Sequence, residues 1–147
     1  MTAISDQERA QRSADAMWEN DAASKGLGIV LESVEPGRAT LSLKVESKHL
    51  NGHGICHGGF IFTLADSAFA FACNSYNRCA VGQSTTASFL QPGRVGSTLV
   101  ANAEEISVHG RSGIYDVTVV DDEGNTIAVF RGQSRTIQGT HFNEDGT

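Results

Sequence analysis

The stretch "GFIFTLADSAFAFACNSY" (59–76) constrains the fold most, because at helical spacing it is apolar around most of its circumference. Such a helix must be covered on most sides. The rest of the chain is dominated by strand patterns, and one sheet can bury the helix only by curling around it. A single carboxylate, Asp66, interrupts the apolar run, although a buried unpaired charge is costly. We therefore expect a central helix over about 59–76 whose carboxylate is either paired or used in chemistry.

The remaining segments predict an α+β domain that occupies residues 1–147, with a mainly antiparallel sheet because its strands are joined by short turns. The central helix should carry one polar seam formed by Thr63, Asp66, Ser67 and Asn74. The other predicted elements are an N-terminal helix over about 5–21 and strands over about 27–34, 39–45, 79–90, 97–109, 112–121 and 126–137.

Composition and charge exclude several functions. The net charge of −6 and the absence of a basic block argue against nucleic-acid binding. The N-terminus has no apolar core of the signal-peptide type, and the longest apolar run is too short and too polar to span a bilayer. Three cysteines form no disulfide framework. We expect a soluble cytoplasmic protein that binds neither nucleic acid nor membrane.

The loop "NGHGICHGG" (51–59) directly precedes the central helix and holds four glycines and two histidines. Glycines let a ligand approach the backbone, and a helix start offers unpaired N–H groups and a positive dipole end. The loop is therefore a candidate oxyanion site, although a tight turn alone would also explain its glycines. Its residues His53, Cys56 and His57 lack the accompanying ligands of a metal site, so no metal is expected.

Three other chemistries fit poorly. Cys56 beside His57 is a weak nucleophile–base pair, because adjacent side chains usually point apart. The chain contains no G-x-S-x-G elbow, and the glycine spacing of the loop misses the dinucleotide-binding fingerprint. Neither a serine hydrolase nor a nucleotide-dependent enzyme is therefore predicted.

The string "LNGHGICHGGFIFTLADSAFAFACNSY", followed by "SFLQPG", resembles the hot-dog fold acyl-CoA thioesterases, in particular the phenylacetate-degradation type. The likeness extends from about residue 16 to 137, through "MWENDAASKGLGI", "GIYDV" and "AVFRGQS". It implies a curled antiparallel sheet wrapped around a long central helix. It also implies a homodimer with a continuous sheet, active sites at the dimer interface, and pairing of dimers into a homotetramer.

The resemblance also implies roles for residues. Asp66 would act as the nucleophile or as the base that activates water, the Gly58 N–H would polarise the thioester carbonyl, and Asn51 would place water or substrate. Gln91 replaces the basic residue that the family usually has before Pro92, which weakens any coenzyme contact there. The further candidates for substrate binding are His57, Thr85, Thr86, and, for the coenzyme A phosphates, Arg94 and Arg111, which also fit as ordinary surface arginines.

The predicted function is hydrolysis of an arylacetyl-CoA, either phenylacetyl-CoA or hydroxyphenylacetyl-CoA, without cofactor or metal. Aromatic residues on or near the helix are candidates to line an acyl pocket beside Asp66, although such residues often only form the core. Two alternatives stay open: a hot-dog dehydratase or hydratase with His53 or His57 as its base, and a non-catalytic acyl-CoA-binding module. The candidate pocket residues are Phe60, Phe62, Phe69, Phe71, Tyr76 and Phe89.

Overall fold

The computed structural model describes residues 3–145 of the chain. One long helix and one six-stranded sheet dominate the described part. The elements are α1 (Asp6–Glu19), α2 (Ala22–Leu27), β1 (Val30–Glu35), β2 (Arg38–Lys44), a 3₁₀ turn (Ser47–His49), α3 (Gly58–Cys73), β3 (Ala80–Phe89), β4 (Thr98–His109), β5 (Ser112–Val120) and β6 (Thr126–Thr136).

The sheet has the strand order β1-β2-β4-β5-β6-β3, and every neighbouring pair is antiparallel. Strand β3 follows α3 along the chain but lies at the far edge, beside β6. The inner face of the sheet packs against α3 from β2 across to β3. The predicted α+β arrangement, one antiparallel sheet curled around a central helix, is confirmed.

The core lies between α3 and the inner face of the sheet. Strand β2 alternates as its sequence predicts, with Ala39, Leu41 and Leu43 fully buried toward the helix. The ring of Phe69 packs so closely on β6 that a Cβ built on Gly132 would lie 2.8 Å from it. The glycine at that point therefore lets the sheet approach the helix.

The central helix is shorter than predicted because Asn74 ends it. The Asn74 amide donates to the carbonyl oxygens of Ala70 (2.8 Å) and Ala80 (3.0 Å), and its oxygen accepts the Ala80 N–H (2.9 Å). This buried cap satisfies backbone groups that a helix end leaves unpaired. Asn74 therefore does not belong to an open polar seam. The hydroxyl of Thr63, another predicted member of that seam, donates to the Gly59 carbonyl oxygen (2.9 Å).

The chain between the N-terminal helix and the first strand forms a helix that the sequence patterns did not predict. The side chain of Asp21 caps α2 by accepting the Ser24 N–H (2.9 Å), and Gly28 ends the helix with a left-handed φ of 89°. The predicted strand over 27–34 consequently begins only at Val30.

The two edges of the sheet differ. At the β1 edge, α1 packs on the strand, and Gln7 donates to the Val34 carbonyl (2.9 Å). At the opposite edge, residues 81–86 of β3 are all exposed within the chain, and Phe89 is 52% exposed. Natural proteins rarely leave a ten-residue edge strand unprotected.

Within residues 3–145, no helix is long and apolar enough to cross a membrane.

Candidate active site

The Asp66 side chain lines a cleft of about 670 Å³ between α3 and β3, which we call the Asp66 cleft. On α3, the lining residues Phe62, Asp66, Phe69 and Cys73 recur every three or four positions and so form one stripe. Across the cleft lie residues 79–85. One face of the buried helix is therefore open, and the carboxylate lies in the middle of that face.

The Asp66 carboxylate has no hydrogen-bond or ion-pair partner among the described residues, although it is half-buried. Removal from water raises its pKa above the ordinary aspartate value. A structural ion pair within the described part of the chain, one of the explanations the sequence leaves open, is thus not formed. An under-solvated carboxylate in a cleft is suited to act as a base or a nucleophile.

Gly58 is the first residue of α3, and its N–H has no hydrogen-bond partner within the described part of the chain. The neighbouring His57 is the N-cap, and its Nδ1 accepts the Gly59 N–H (2.9 Å). His57 thus caps the helix and leaves the Gly58 N–H as a free donor at the positive end of the helix dipole. A free N–H in this position can donate to an oxyanion.

Asn51 holds the loop before the helix and keeps two amide hydrogens available. Its Oδ1 accepts the backbone N–H groups of His53 (2.9 Å) and Ile55 (3.3 Å), which fixes the orientation of the amide. No described residue accepts a hydrogen bond from its Nδ2. The Asn51 side chain therefore offers a ligand a donor rather than an acceptor.

Asn51 and Gly58 line a second cleft of about 360 Å³, whose wall includes the ring of Phe89. It is separate from the Asp66 cleft. The eight-residue separation of Gly58 and Asp66 on α3 corresponds to about 12 Å along the axis. One carbonyl group spans far less, so the two residues of a single chain cannot act on the same thioester.

The two threonines predicted for substrate binding lie on opposite faces of β3. Thr85 pairs with Gly132 and lines the Asp66 cleft. Thr86 pairs with Arg131 and faces a cleft on the outer face of the sheet, together with Asp116. The alternation of a strand separates them, so within one chain only Thr85 lies at the Asp66 cleft.

The two arginines predicted for the coenzyme phosphates lie far apart. Arg94 follows β3 and lines a surface cleft that also contains Asp121, Asp122 and Glu123. These carboxylates make the cleft unfavourable for phosphate. Arg111 lies in the turn between β4 and β5, and the twelve residues of β4 separate the two arginines by about 40 Å. They cannot bind one phosphate group in one chain.

The structure distributes the six predicted aromatic residues among different environments. Phe62 and Phe69 line the Asp66 cleft, and Phe89 lines the cleft of Gly58. Phe60 lies against the rings of His49 and His57. The other two belong to structural contacts: Phe71 packs against Trp18, and Tyr76 donates to Glu105.

Sequence patterns missed His141, which lines the Asp66 cleft from the C-terminal segment (137–145). The resemblance ends near residue 137, so no motif signalled it.

Throughout residues 3–145, the loop before α3 included, no three His, Cys, Asp or Glu side chains are grouped so that they could hold a metal ion. The three cysteines are free thiols.

A curled antiparallel sheet around one helix, with an unpaired carboxylate on that helix and a free N–H at its start, defines a hot-dog fold hydrolase. The family model of the thioesterase superfamily matches residues 53–128. The chain belongs to this superfamily and is a thioesterase.

Individual relatives agree with this assignment. The acyl-coenzyme A thioesterase PaaI of Escherichia coli K12 is 46% identical over 90% of this chain and 94% of its own length. A solved structure of E. coli PaaI, from the phenylacetic acid degradation operon, has a TM-score of 0.91 at 45% identity and covers 92% of this chain and 99% of that one. The predictions of fold, family and enzyme class are confirmed.

A second relative was solved with a ligand. The smu.793 protein of Streptococcus mutans UA159, bound to acetyl-CoA, has a TM-score of 0.72 at 27% identity and covers 76% of this chain and 90% of that one.

Proposed function

We propose that this enzyme hydrolyses arylacetyl-CoA thioesters at sites that two copies of the chain share. The observation that carries the proposal is the unpaired Asp66 carboxylate in a cleft lined by Phe62 and Phe69. The relatives support it. E. coli PaaI is an acyl-coenzyme A thioesterase and comes from the phenylacetic acid degradation operon, and the smu.793 structure holds acetyl-CoA.

The carbonyl oxygen of the thioester would bind between the Gly58 N–H and the Asn51 amide. Both donors would stabilise the negative charge that develops on this oxygen as the carbonyl is attacked. Asp66 then either removes a proton from a water that attacks the carbonyl carbon, or attacks that carbon itself to form a mixed anhydride that water hydrolyses in a second step. In both routes the C–S bond breaks and coenzyme A leaves as its thiolate, which takes up a proton. The products are the free acid and coenzyme A. Thr85, in the Asp66 cleft, is a candidate to orient the water.

The distance along α3 favours a shared site. Because Gly58 and Asp66 lie about 12 Å apart on one helix, the oxyanion donors of one copy must meet the carboxylate of another. The exposed β3 edge offers a surface for that contact, since a second β3 can continue the sheet. Arg111 remains a better candidate than Arg94 for the coenzyme phosphates, because Arg94 lies among carboxylates.

A thiol-release assay over a panel of acyl-CoA substrates tests the proposal. Burying an aromatic ring beside Phe62 and Phe69 is worth about 2 kcal/mol, so kcat/KM for phenylacetyl-CoA should exceed that for acetyl-CoA at least about tenfold. Palmitoyl-CoA should be poor, because its tail exceeds the cleft. Equal values for palmitoyl-CoA and phenylacetyl-CoA would overturn the aryl assignment. Hydration of an enoyl-CoA without thiol release would instead support the dehydratase alternative.

The same samples establish the assembly. The resemblance implies that dimers pair into a tetramer, and light scattering should then give a mass of four chains of 15.6 kDa each. A mass of one chain would contradict the shared site.

A further inference from the structure

Two residues of the C-terminal segment, Ile137 and His141, line the Asp66 cleft. Two contacts fix the segment. Glu144 pairs with Arg9 of α1 (3.0 Å), and the Asn77 side-chain oxygen accepts the His141 N–H (2.8 Å). The imidazole is therefore held in place as a wall of the cleft rather than carried on a loose terminus.

The hydrogen bonds of His141 define which ring nitrogen can accept. Its Nε2 lies 2.8 Å from the Asn74 Oδ1, an oxygen that also accepts the Ala80 N–H (2.9 Å). Because that oxygen is an acceptor, Nε2 carries the proton in this bond. Burial lowers the pKa of His141, which favours the neutral ring. In a neutral ring Nδ1 is then an acceptor, and no described residue donates to it.

The cleft has the length of a hydroxylated arylacetyl group. Asp66 and Asn74 are eight residues apart, which places His141 roughly 12 Å along the helix from the carboxylate. Where Asp66 itself is the nucleophile, the attacked carbonyl carbon lies about 3 Å from it. A para-hydroxyl oxygen lies roughly 6 to 7 Å beyond that carbon, at about 1.5 Å per bond. A hydrogen bond of about 3 Å completes the distance to His141.

We propose that His141 determines specificity, by accepting through Nδ1 a hydrogen bond from a hydroxyl group on the acyl ring. The inference rests on the proposed function and deepens it. When the acyl ring lacks the hydroxyl, only water can donate a hydrogen bond to Nδ1. Since His141 is half-buried rather than sealed, the hydrogen bond should favour the hydroxylated substrate about tenfold in kcat/KM.

The test compares kcat/KM for 4-hydroxyphenylacetyl-CoA and phenylacetyl-CoA in the intact enzyme and in His141→Phe. The substitution keeps a ring of similar size and removes both the Nδ1 acceptor and the Nε2–H that donates to Asn74. The wild-type preference of about tenfold should fall to within about twofold, measured as the ratio of the two kcat/KM values within each protein. An unchanged preference in the variant would overturn the inference and leave the aryl function intact.

Phe142→Leu is the matched control. The Phe142 ring lies 4.2 Å from the Arg12 guanidinium and belongs to the same segment, but it does not line the cleft. This variant should keep the wild-type preference. If it loses the preference as His141→Phe does, the segment as a whole is responsible, and the assignment to the imidazole is wrong.

A second measurement avoids substitutions. In ¹⁵N spectra of the wild-type enzyme, 4-hydroxyphenylacetate should shift the His141 Nδ1 signal, whereas phenylacetate should shift it far less. Equal shifts would contradict the inference. If the wild-type enzyme hydrolyses neither aryl substrate, the proposed function fails, and the inference fails with it.

Discussion

The pKa of Asp66 has consequences for stability as well as for catalysis. Burial raises this pKa in the folded chain, whereas the unfolded chain titrates at the ordinary value. As the pH rises, the unfolded state releases the proton first, so the fold loses stability between the two pKa values. At neutral pH Asp66 lowers the free energy of unfolding by its full amount. Below both pKa values the group is protonated in both states, and this effect vanishes. In its proposed role Asp66 therefore costs stability at the pH at which it is ionised and would act, as catalytic groups commonly do.

Asp66→Asn should lower kcat by at least about a hundredfold, because it removes the base or nucleophile and keeps the shape. The melting temperature at neutral pH should stay the same or rise, since a desolvated charge is removed. The difference in melting temperature between the variant and the wild type should disappear as the pH falls below the ordinary aspartate pKa. Thiol release and thermal unfolding at several pH values measure both effects. A kcat near the wild-type value would refute the catalytic role, and a lower melting temperature at neutral pH would reveal a structural partner in another copy.

Gly58→Pro tests the proposed oxyanion donor directly. Proline is favoured at the first position of a helix, where its missing N–H breaks no helical bond. The preceding His57 has φ −59° and ψ 131°, a conformation that a following proline permits. The helix should therefore persist while kcat falls about a hundred- to a thousandfold, as expected for the loss of one oxyanion donor. Circular dichroism and thiol release check the two parts of this prediction.

Gly58→Ala is the control for steric effects. It keeps the N–H and adds a Cβ that would lie 3.5 Å from the Phe89 ring, an ordinary van der Waals distance. This variant should retain most of the activity. Equal losses in the alanine and proline variants would mean that shape, rather than the N–H, matters at this position.

At the scale of elements, the sequence predicts those that have long, regular patterns. The alternation of β2 and the apolar stretch of α3 are such patterns, and both elements lie where they were expected. The loop over 51–59 was predicted as a candidate oxyanion site because glycines and a helix start are adjacent in the sequence, and that role stays a prediction. Asp66 was conspicuous because it is the one charge in an apolar run.

The elements that the sequence missed depend on tertiary contacts. Helix α2 is only six residues long and is formed by capping, so it has no periodic signal. Asn74 looked like part of a polar seam, yet it pairs with the chain that returns at Ala80. His141 reaches the Asp66 cleft only because the C-terminal segment folds back over α3. Contacts between residues distant in sequence leave no local pattern.

The contact between α3 and β6 gives a prediction at this scale. Gly132→Ala should destabilise the fold by about 1 to 3 kcal/mol, because its Cβ would lie 2.8 Å from the ring of the fully buried Phe69. Gly26→Ala, in α2, adds the same methyl group where nothing lies within 4 Å, and should stabilise by up to about 1 kcal/mol. Denaturant titration of both variants measures the difference. Equal stabilities would mean that the sheet moves away from the helix without cost.

At the scale of the whole molecule, the proposed active site is divided between two clefts of the chain, each of which would supply one half-site. The donors Asn51 and Gly58 line one cleft, and Asp66 lines another. Helix α1 contacts the β1 edge through Gln7, whereas residues 81–86 of the β3 edge are all exposed, as is Phe89. Pairing of two copies along β3 would cover this edge and bring the two kinds of half-site together. Assembly and catalysis would then depend on one surface.

Mixing two inactive variants distinguishes a shared site from a site within one chain. Asp66→Asn keeps the donors and Gly58→Pro keeps the carboxylate, so a dimer of the two holds one intact site and one doubly defective site. If subunits exchange at random, half of the dimers are mixed, and activity should return to about a quarter of the wild-type value. Each variant alone, carried through the same unfolding and refolding, is the control. No recovery, in a sample shown by mass spectrometry to contain mixed dimers, would place both groups of a site in one chain.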